Sequence, residues 1–469
     1  MTVSTTRTIT PAPSPDGSIA GPAPVRSPGP RRSTVPVARD AFHVGLALLV
    51  VLNISRIHQQ LPFVKALRPE LLLTLACVAL AFAKPSLLSQ RPLLSTWPAR
   101  GVALAFGLAS CSALFGISLG HSAVFILNVY VKTIVFAFLI IASVRSARDL
   151  NSVVWAGVIS TGCLAYTSLF IFRTVSYGSY ARLAHLDTYD ANDVGLVMLV
   201  GCALTLLAFQ TSRTAGKALC AAILVAIGAT LAKSGSRGAF VGLVALALGL
   251  LVLANRVSVM KRLAFAGTTA LGMVIFAPPG YWTQMKTIAD PTADYNWNTV
   301  NGRRQVALRG LGYMMTHPVF GIGINNFAMA ECTISEKAKT HVIGEGIRCT
   351  PPHNAYIEAA AETGIPGGLL WIAMVPGGVI WLTYLRRRLP REWARGDPEQ
   401  RFLYLCTIYF AVLLVGYAVG SFFLSFTWYD VSYYIFALLA GLQVAVAEKL
   451  RRARMPPEPH DVRSGYRRR

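Results

Sequence analysis

Charge is scarce in this chain of 469 residues: Asp, Glu, Lys and Arg together make up 14%, against roughly 25% in an ordinary soluble domain. That shortage excludes a conventional soluble enzyme. Acidic residues are the scarcer sign, 21 against 44 Lys and Arg, which leaves a formal +23. Cysteine is sparse too; the eight present are too few for a disulfide scaffold and follow no zinc-ligand spacing. What fills the space is apolar, with 54% hydrophobic residues and a mean hydropathy of +0.50. In a soluble protein the basic excess would indicate a nucleic-acid partner. In an apolar one it can instead record topology, so the positions of the cations decide.

A membrane-spanning helix needs about 20 mainly apolar residues. Runs of that kind fall at 41–57, 69–84, 101–119, 122–143, 150–172, 193–210, 216–232, 238–254, 263–281, 365–385, 402–422 and 429–447, which predicts about 12 transmembrane helices. Residues 1–40 hold eight Pro among many Ser, Thr and Gly, cannot bury a core, and are expected to be a disordered tail without a leader-like apolar segment. Twelve spans put both termini on one side. With that side taken as the cytoplasm, 29 of the 44 basic residues lie in cytoplasmic segments, 14 in outer ones and Lys132 inside a span, while the acidic residues divide 9 to 12. The positive-inside rule supports this orientation. The excess then reads as orientation and headgroup contact with membrane lipids, and no nucleic acid is expected as a partner. The expected architecture is an all-α polytopic membrane protein: a cytoplasmic tail (1–40), spans one to nine (41–281), a long outer loop with amphipathic helices (282–364), spans ten to twelve (365–447) and a basic cytoplasmic tail (448–469).

Loops as long as 282–364 are usually functional. Within it, Ala307, Leu308, Leu311, Met314 and Met315 fall at helical spacing and predict an amphipathic helix over 303–316, lying on the membrane surface or capping the bundle. A second helix is expected to start at Thr350-Pro351, with Thr350 as its cap, which puts His353 in the first turn. A helix N-terminus disfavours the imidazolium form and attracts anions, so this His is expected to be neutral and proton-accepting. Cys332 and Cys349, the two cysteines outside the expected spans, are a disulfide candidate, with two free thiols as the alternative. The segment after span five carries Arg182, His185, Asp187, Asp190, Asn192 and Asp193. It lacks an Asp-x-Asp pair, so no metal site is expected; Asn192 reads as the cap of span six.

Four segments carry a family resemblance. Residues 234–240 read SGSRGAF, residues 302–303 are Gly-Arg, residues 316–327 read THPVFGIGINNF and residues 353–367 read HNAYIEAAAETGIPG. In order, spacing and outer-face placement they resemble the O-antigen ligase family of polytopic membrane glycosyltransferases, which also includes O-antigen polymerases and protein O-oligosaccharyltransferases. The similarity covers roughly 190–370. It implies a fold resembling the C-type glycosyltransferases. It also implies transfer of a glycan from an undecaprenyl-diphosphate carrier to an acceptor hydroxyl, for a ligase a lipid A-core sugar. The reaction belongs at the periplasmic face of the bacterial inner membrane, metal-independent, inverting and without a cofactor.

The residue types suit that chemistry. A lipid diphosphate leaves readily but needs its charge stabilised, and a guanidinium does this as a fork of donors that is always ionised. Arg237 and Arg303 occupy the family's Ser-Arg-Gly and Gly-Arg positions and are expected to be catalytic, although alone each reads equally as a helix-end or headgroup contact. His353, in the His-Asn position, is the expected base or orienter of the acceptor hydroxyl. Arg182, Arg304, Ser236 and Asn354 are expected to contact substrate. A secondary transporter is the competing class, but the long loop follows span nine and no half-to-half repeat is evident. Within the family the short C-terminal tail mildly disfavours a protein-glycosylating enzyme, and the His-Asn helix mildly favours ligase over polymerase.

Overall fold

A computed structural model describes residues 34–177, 180–184, 188–254, 258–290, 299–340 and 347–454. The expected tail at 1–33, the pair His185 and Asp187, and the C-terminal tail beyond 454 lie outside the described residues. The expected tail does not run to residue 40, because Val35 and Ala38 are buried. Asn151 donates to the Val35 carbonyl at 3.0 Å, and the Ala38 amide donates to Ser152 Oγ at 2.6 Å.

The principal helices are α1 (Ala41–Ser55), α2 (Pro69–Ala83), α3 (Trp97–Phe115), α4 (Leu119–Ser143), α5 (Ala147–Phe170), α6 (Ala191–Thr211), α7 (Thr214–Ser234), α8 (Arg237–Leu253), α9 (Val259–Phe276), α10 (Arg303–Thr316), α11 (Phe327–Thr333), α12 (Ala355–Met374), α13 (Pro376–Arg388), α14 (Pro398–Gly420) and α15 (Asp430–Arg454). Among the described residues eight helices are long and apolar enough to cross a membrane: α3 to α7, α12 continued by α13, α14 with the turn that follows it, and α15. About twelve spans are therefore not confirmed. Helices α1 and α2 have 15 residues and α8 has 17; at 1.5 Å per residue they fall short of a hydrocarbon layer about 30 Å thick. Helix α9 is not among the eight. Among the described residues the architecture is helical except for one hairpin, β1 (Thr174–Tyr177) against β2 (Tyr180–Leu183), which pairs Val175 with Arg182.

Helices α6, α14 and α15 are buried over most of their length and form the centre. Leu127, Phe170, Val252 and Ile380 project outward from surrounding helices, as an apolar solvent allows. Small residues let the central helices approach: a Cβ on Gly242 of α8 would lie 2.4 Å from the Leu199 side chain and 3.1 Å from the Gly416 carbonyl.

One break positions the site. Within α12, Thr363 and Gly364 leave helical geometry, Gly364 at φ 72° and ψ −176°. The freed backbone groups are taken up by the THPVFGIGINNF turn. Ile322 donates to the Ala361 carbonyl at 2.9 Å, Gly323 to the Glu362 carbonyl at 3.1 Å, and Ile365 to the Pro318 carbonyl at 2.8 Å. A Cβ on Gly364 would stand 2.6 Å from the Val319 carbonyl oxygen, so glycine is required there by space as well as by φ. The buried Glu362 carboxylate completes the joint, accepting from the Asn325 and Phe327 amides at 2.8 and 3.0 Å and from Trp428 Nε1 at 2.6 Å.

Candidate active site

The start of α12 differs from expectation. Its cap is Asn354, in extended conformation, whose Oδ1 accepts from the Tyr356 and Ile357 amides at 3.0 and 3.1 Å. Thr350 instead directs its hydroxyl to the Arg348 carbonyl. His353 therefore precedes the helix rather than lying in its first turn. It adopts a left-handed φ of 49°, a strained conformation for a residue with a Cβ. Its amide donates to Ser425 Oγ at 2.9 Å, which fixes the backbone and leaves the imidazole without a hydrogen-bond partner among the described residues.

The segment 421–430 between α14 and α15 ties the site together. The Thr427 amide donates to Glu358 Oε2 and its hydroxyl to the Ala355 carbonyl, each at 2.9 Å, so α12 is pinned one turn beyond His353. At the start of α15, Asp430 accepts from Thr133 of α4 and pairs with Arg56, the left-handed residue that ends α1. These elements enclose a cavity of about 430 Å³. Its lining includes His353, Ser425, Asn325, Trp428, Tyr429 and the carboxyl groups of Asp190, Asp193, Glu358 and Asp430. Phe125 and Val129 close one side, the latter from the π-turn Ile126–Tyr130 inside α4. Asp190 rather than Asn192 caps α6, in a reciprocal box with Asp193.

Burial is the largest influence on His353, and the positive charges of Arg303 and Arg348 add to it, while Asp190 opposes them; together they lower its pKa from 6.5 to about 4. The imidazole is thus neutral at physiological pH, for a reason that is mainly desolvation and only secondarily charge.

Arg303 opens α10 after the Gly302 cap, close enough to act on His353, whereas Arg304 is exposed. The apolar stripe expected to define α10 does not face the protein. Leu308, Leu311 and Met315 are exposed, and Val306, Gly310 and Tyr313 are buried, because Gly310 lets Ile357 and Phe327 approach from α12 and α11. The helix is bolted down by Arg309, whose Nε and Nη2 reach the two oxygens of fully buried Glu331 at 2.8 and 2.6 Å. Tyr313 OH donates to the same carboxylate at 3.0 Å. Cys332 and Cys349 are joined by a disulfide, Cα to Cα 5.3 Å, which anchors the irregular segment that carries Arg348 and leads to His353.

The other sequence-expected residues are not in the described cavity lining. Ser236 caps α8 through the Ala239 amide, and Arg237 donates to Thr287 Oγ1 at 2.7 Å. Arg182 lies in β2, and Asn354 is occupied as a cap. Still, Gly238 packs against Phe423, two residues before the Ser425 that holds His353, so the Arg237 helix starts beside the same segment. Sequence reasoning missed Arg56, Glu358, Ser425 and Asp430. Arg56 and Asp430 flank apolar runs and read as span ends; only their pairing reveals a shared wall. Among the described residues no group of three or more His, Cys, Asp or Glu could hold a metal ion.

Residues 221–372, which contain Arg237, Arg303 and His353, match the family model described as O-Antigen ligase. The chain carries an O-antigen ligase domain. The match supports an O-antigen ligase family member, and such proteins are glycosyltransferase-like membrane enzymes, ligases or polymerases, for which the family implies a lipid-linked glycan and a lipid acceptor. No curated protein matches the chain.

Proposed function

We propose that this protein is an O-antigen ligase of the bacterial inner membrane, with both termini cytoplasmic and the site at the periplasmic face. It transfers a glycan from undecaprenyl diphosphate to a sugar hydroxyl of the lipid A-core. The observation that carries the reading is His353: a neutral imidazole without a hydrogen-bond partner among the described residues, opening on a cavity, with Arg303 beside it and within the O-antigen ligase domain.

In the proposed step the acceptor hydroxyl gives its proton to the imidazole, and its oxygen attacks the anomeric carbon from the face opposite the phosphate. The bond from that carbon to the phosphate oxygen breaks, and its electron pair leaves with undecaprenyl diphosphate. Inversion follows from the single displacement. The leaving group's negative charge is met by Arg303 and, across the 421–430 segment, by Arg237. No metal or cofactor takes part in the proposed step; the guanidinium groups supply the charge. His353 then returns its proton to water or to the departing diphosphate.

Deleting the gene tests this reading. Long-chain lipopolysaccharide disappears while carrier-linked polymer accumulates if the protein is the ligase. Retention of single-unit chains would mark a polymerase instead, and unchanged lipopolysaccharide with altered glycoprotein would mark a protein O-oligosaccharyltransferase.

A further inference from the structure

We propose that Arg348 is a further substrate contact, a phosphate-binding guanidinium beside the His353 cavity, and that Lys337 is the positioning residue that holds it in fixed relation to Arg303. That the phosphate belongs to a substrate rests on the transfer reading above.

The backbone at 348 is fixed from several directions. The next residue, Cys349, is joined to Cys332 with Cα atoms 5.3 Å apart. The Arg348 carbonyl accepts from Lys337 Nζ at 2.5 Å and from the hydroxyl of buried Thr350 at 3.5 Å. Three residues further on, Pro351 already lines the cavity, as does His353. The side chain has the opposite character. It is exposed, and among the described residues it has no hydrogen-bond or ion-pair partner. Its charge nevertheless reaches His353, as that of Arg303 does. A guanidinium stays ionised and offers phosphate oxygens a fork of donors, and a backbone already ordered leaves less freedom to lose on binding.

Neighbouring carboxylates do not claim that charge. Over the described parts of 299–340 and 347–353 the acidic residues are Glu331 and Glu336. Glu331 is taken by Arg309 and Lys337, and Glu336 by Lys339 at 2.7 Å. Asp190, which also acts on His353, lies in the cavity lining.

Lys337 joins two segments that sequence keeps apart. Its ammonium is largely buried and donates to Asn301 Oδ1 at 2.8 Å as well as to the Arg348 carbonyl, and it stands 3.7 Å from Glu331 Oε2. Asn301 lies two residues before Arg303, and Glu331 holds Arg309 of the same helix. One cation thus ties the start of α10 to the segment that carries Arg348 and leads to His353. Protein oxygens occupy its donors, so its part is to position the guanidinium groups rather than to meet phosphate itself.

The test uses the full chain in lipid nanodiscs and two phosphate probes, a short polyprenyl diphosphate and an alkyl glucoside phosphate, each beside its unphosphorylated parent. Arg348→Ala is expected to weaken at least one phosphate probe by about tenfold or more, the size of one charge-assisted contact, with both parents unchanged. Arg348→Lys, which keeps the charge and loses the fork, should recover part of that loss. A loss on the diphosphate assigns the contact to the donor, and a loss on the glucoside phosphate assigns it to a phosphorylated acceptor. In transfer assays the KM for that substrate should rise more than kcat falls. Lys337→Met should weaken the same probe in the wild-type background but by no more than about twofold in Arg348→Ala, because a positioning residue acts only through what it positions. The proposal is overturned by undiminished binding of both phosphate probes, by equal losses for probe and parent, or by a Lys337→Met effect as large without Arg348 as with it. A phosphate-specific loss at Arg348 in a protein whose wild type transfers no glycan faults the transfer reading and leaves the phosphate contact standing.

Discussion

Arg309→Ala should release α10 from the bundle without unfolding the membrane helices. In the native protein the Glu331 carboxylate is fully buried and accepts a two-pronged guanidinium, with Tyr313 OH on one oxygen and Lys337 Nζ 3.7 Å from the other. Removing Arg309 strands that charge. Breaking a buried pair costs about 3–5 kcal/mol, and the remaining Tyr313 and Lys337 partners place the loss near the lower end, about 3 kcal/mol. The apolar contact beneath α10 is narrow, confined to Val306, Gly310 and Tyr313, so the cost falls on local opening. A loss of about 3 kcal/mol corresponds to roughly hundredfold faster exchange of the protected amides in 303–316. Hydrogen–deuterium exchange with peptide-resolved mass spectrometry reads this directly, with α14 and α15 as unmoved internal controls. Replacing both partners, Arg309→Ala with Glu331→Leu, should restore much of the protection, since no buried charge is then left unpaired. Exchange of 303–316 within twofold of wild type in Arg309→Ala, or a double variant no better than the single, refutes the reasoning.

Three further predictions concern the same site. Transfer should hold nearly constant from neutral pH down to about pH 5 and fall as pH drops through about 4, because a lowered pKa means the proton-blocked imidazolium forms only there; Arg303→Ala should move that limb upward but keep it below 6.5, since burial is the larger cause, and a wild-type limb at 6.5 contradicts the assignment. Cys332→Ser with Cys349→Ser opens a loop of 17 residues separation, a loss of about 3 kcal/mol in the chain-entropy picture. It should loosen 336–340 and 347–349 by exchange and lower transfer while leaving the bundle's melting temperature unchanged. Gly364→Ala, which drives a methyl into the Val319 carbonyl at a positive φ, should cost more than about 1 kcal/mol in thermal stability. Gly312→Ala, facing open space on α10, should cost nothing.

The sequence carried the helical class well because apolar runs in a membrane need no partner to be recognised. The count of about twelve spans is not confirmed, because apolar runs near 41–57 and 69–84 form helices of only 15 residues, α1 and α2, which are shorter than a spanning helix needs. In the site, α10 was legible as a helix over 303–316, but its buried face was not: the apolar stripe faces outward and a glycine, Gly310, marks the packed side. The THPVFGIGINNF turn and the Glu-Thr-Gly break were visible as separate patterns; that they are two halves of one joint follows only from the hydrogen bonds between them. The start of α12 lies four residues later than expected, since Thr350-Pro351 and Asn354 both offer capping chemistry and tertiary contact with Ser425 chooses the second. Arg56 and Asp430 are 374 residues apart, and no local signal joins them.

The most direct measurement is transfer by purified protein from undecaprenyl-diphosphate glycan to a lipid A-core acceptor, comparing wild type with His353→Gln. The backbone at 353 is held by the hydrogen bond its N–H donates to Ser425 Oγ, which Gln retains, so insertion and melting temperature should match wild type. Loss of a general base predicts a fall in rate of about 10²–10⁴-fold. A normally folded His353→Gln protein that transfers at near wild-type rate would contradict the account.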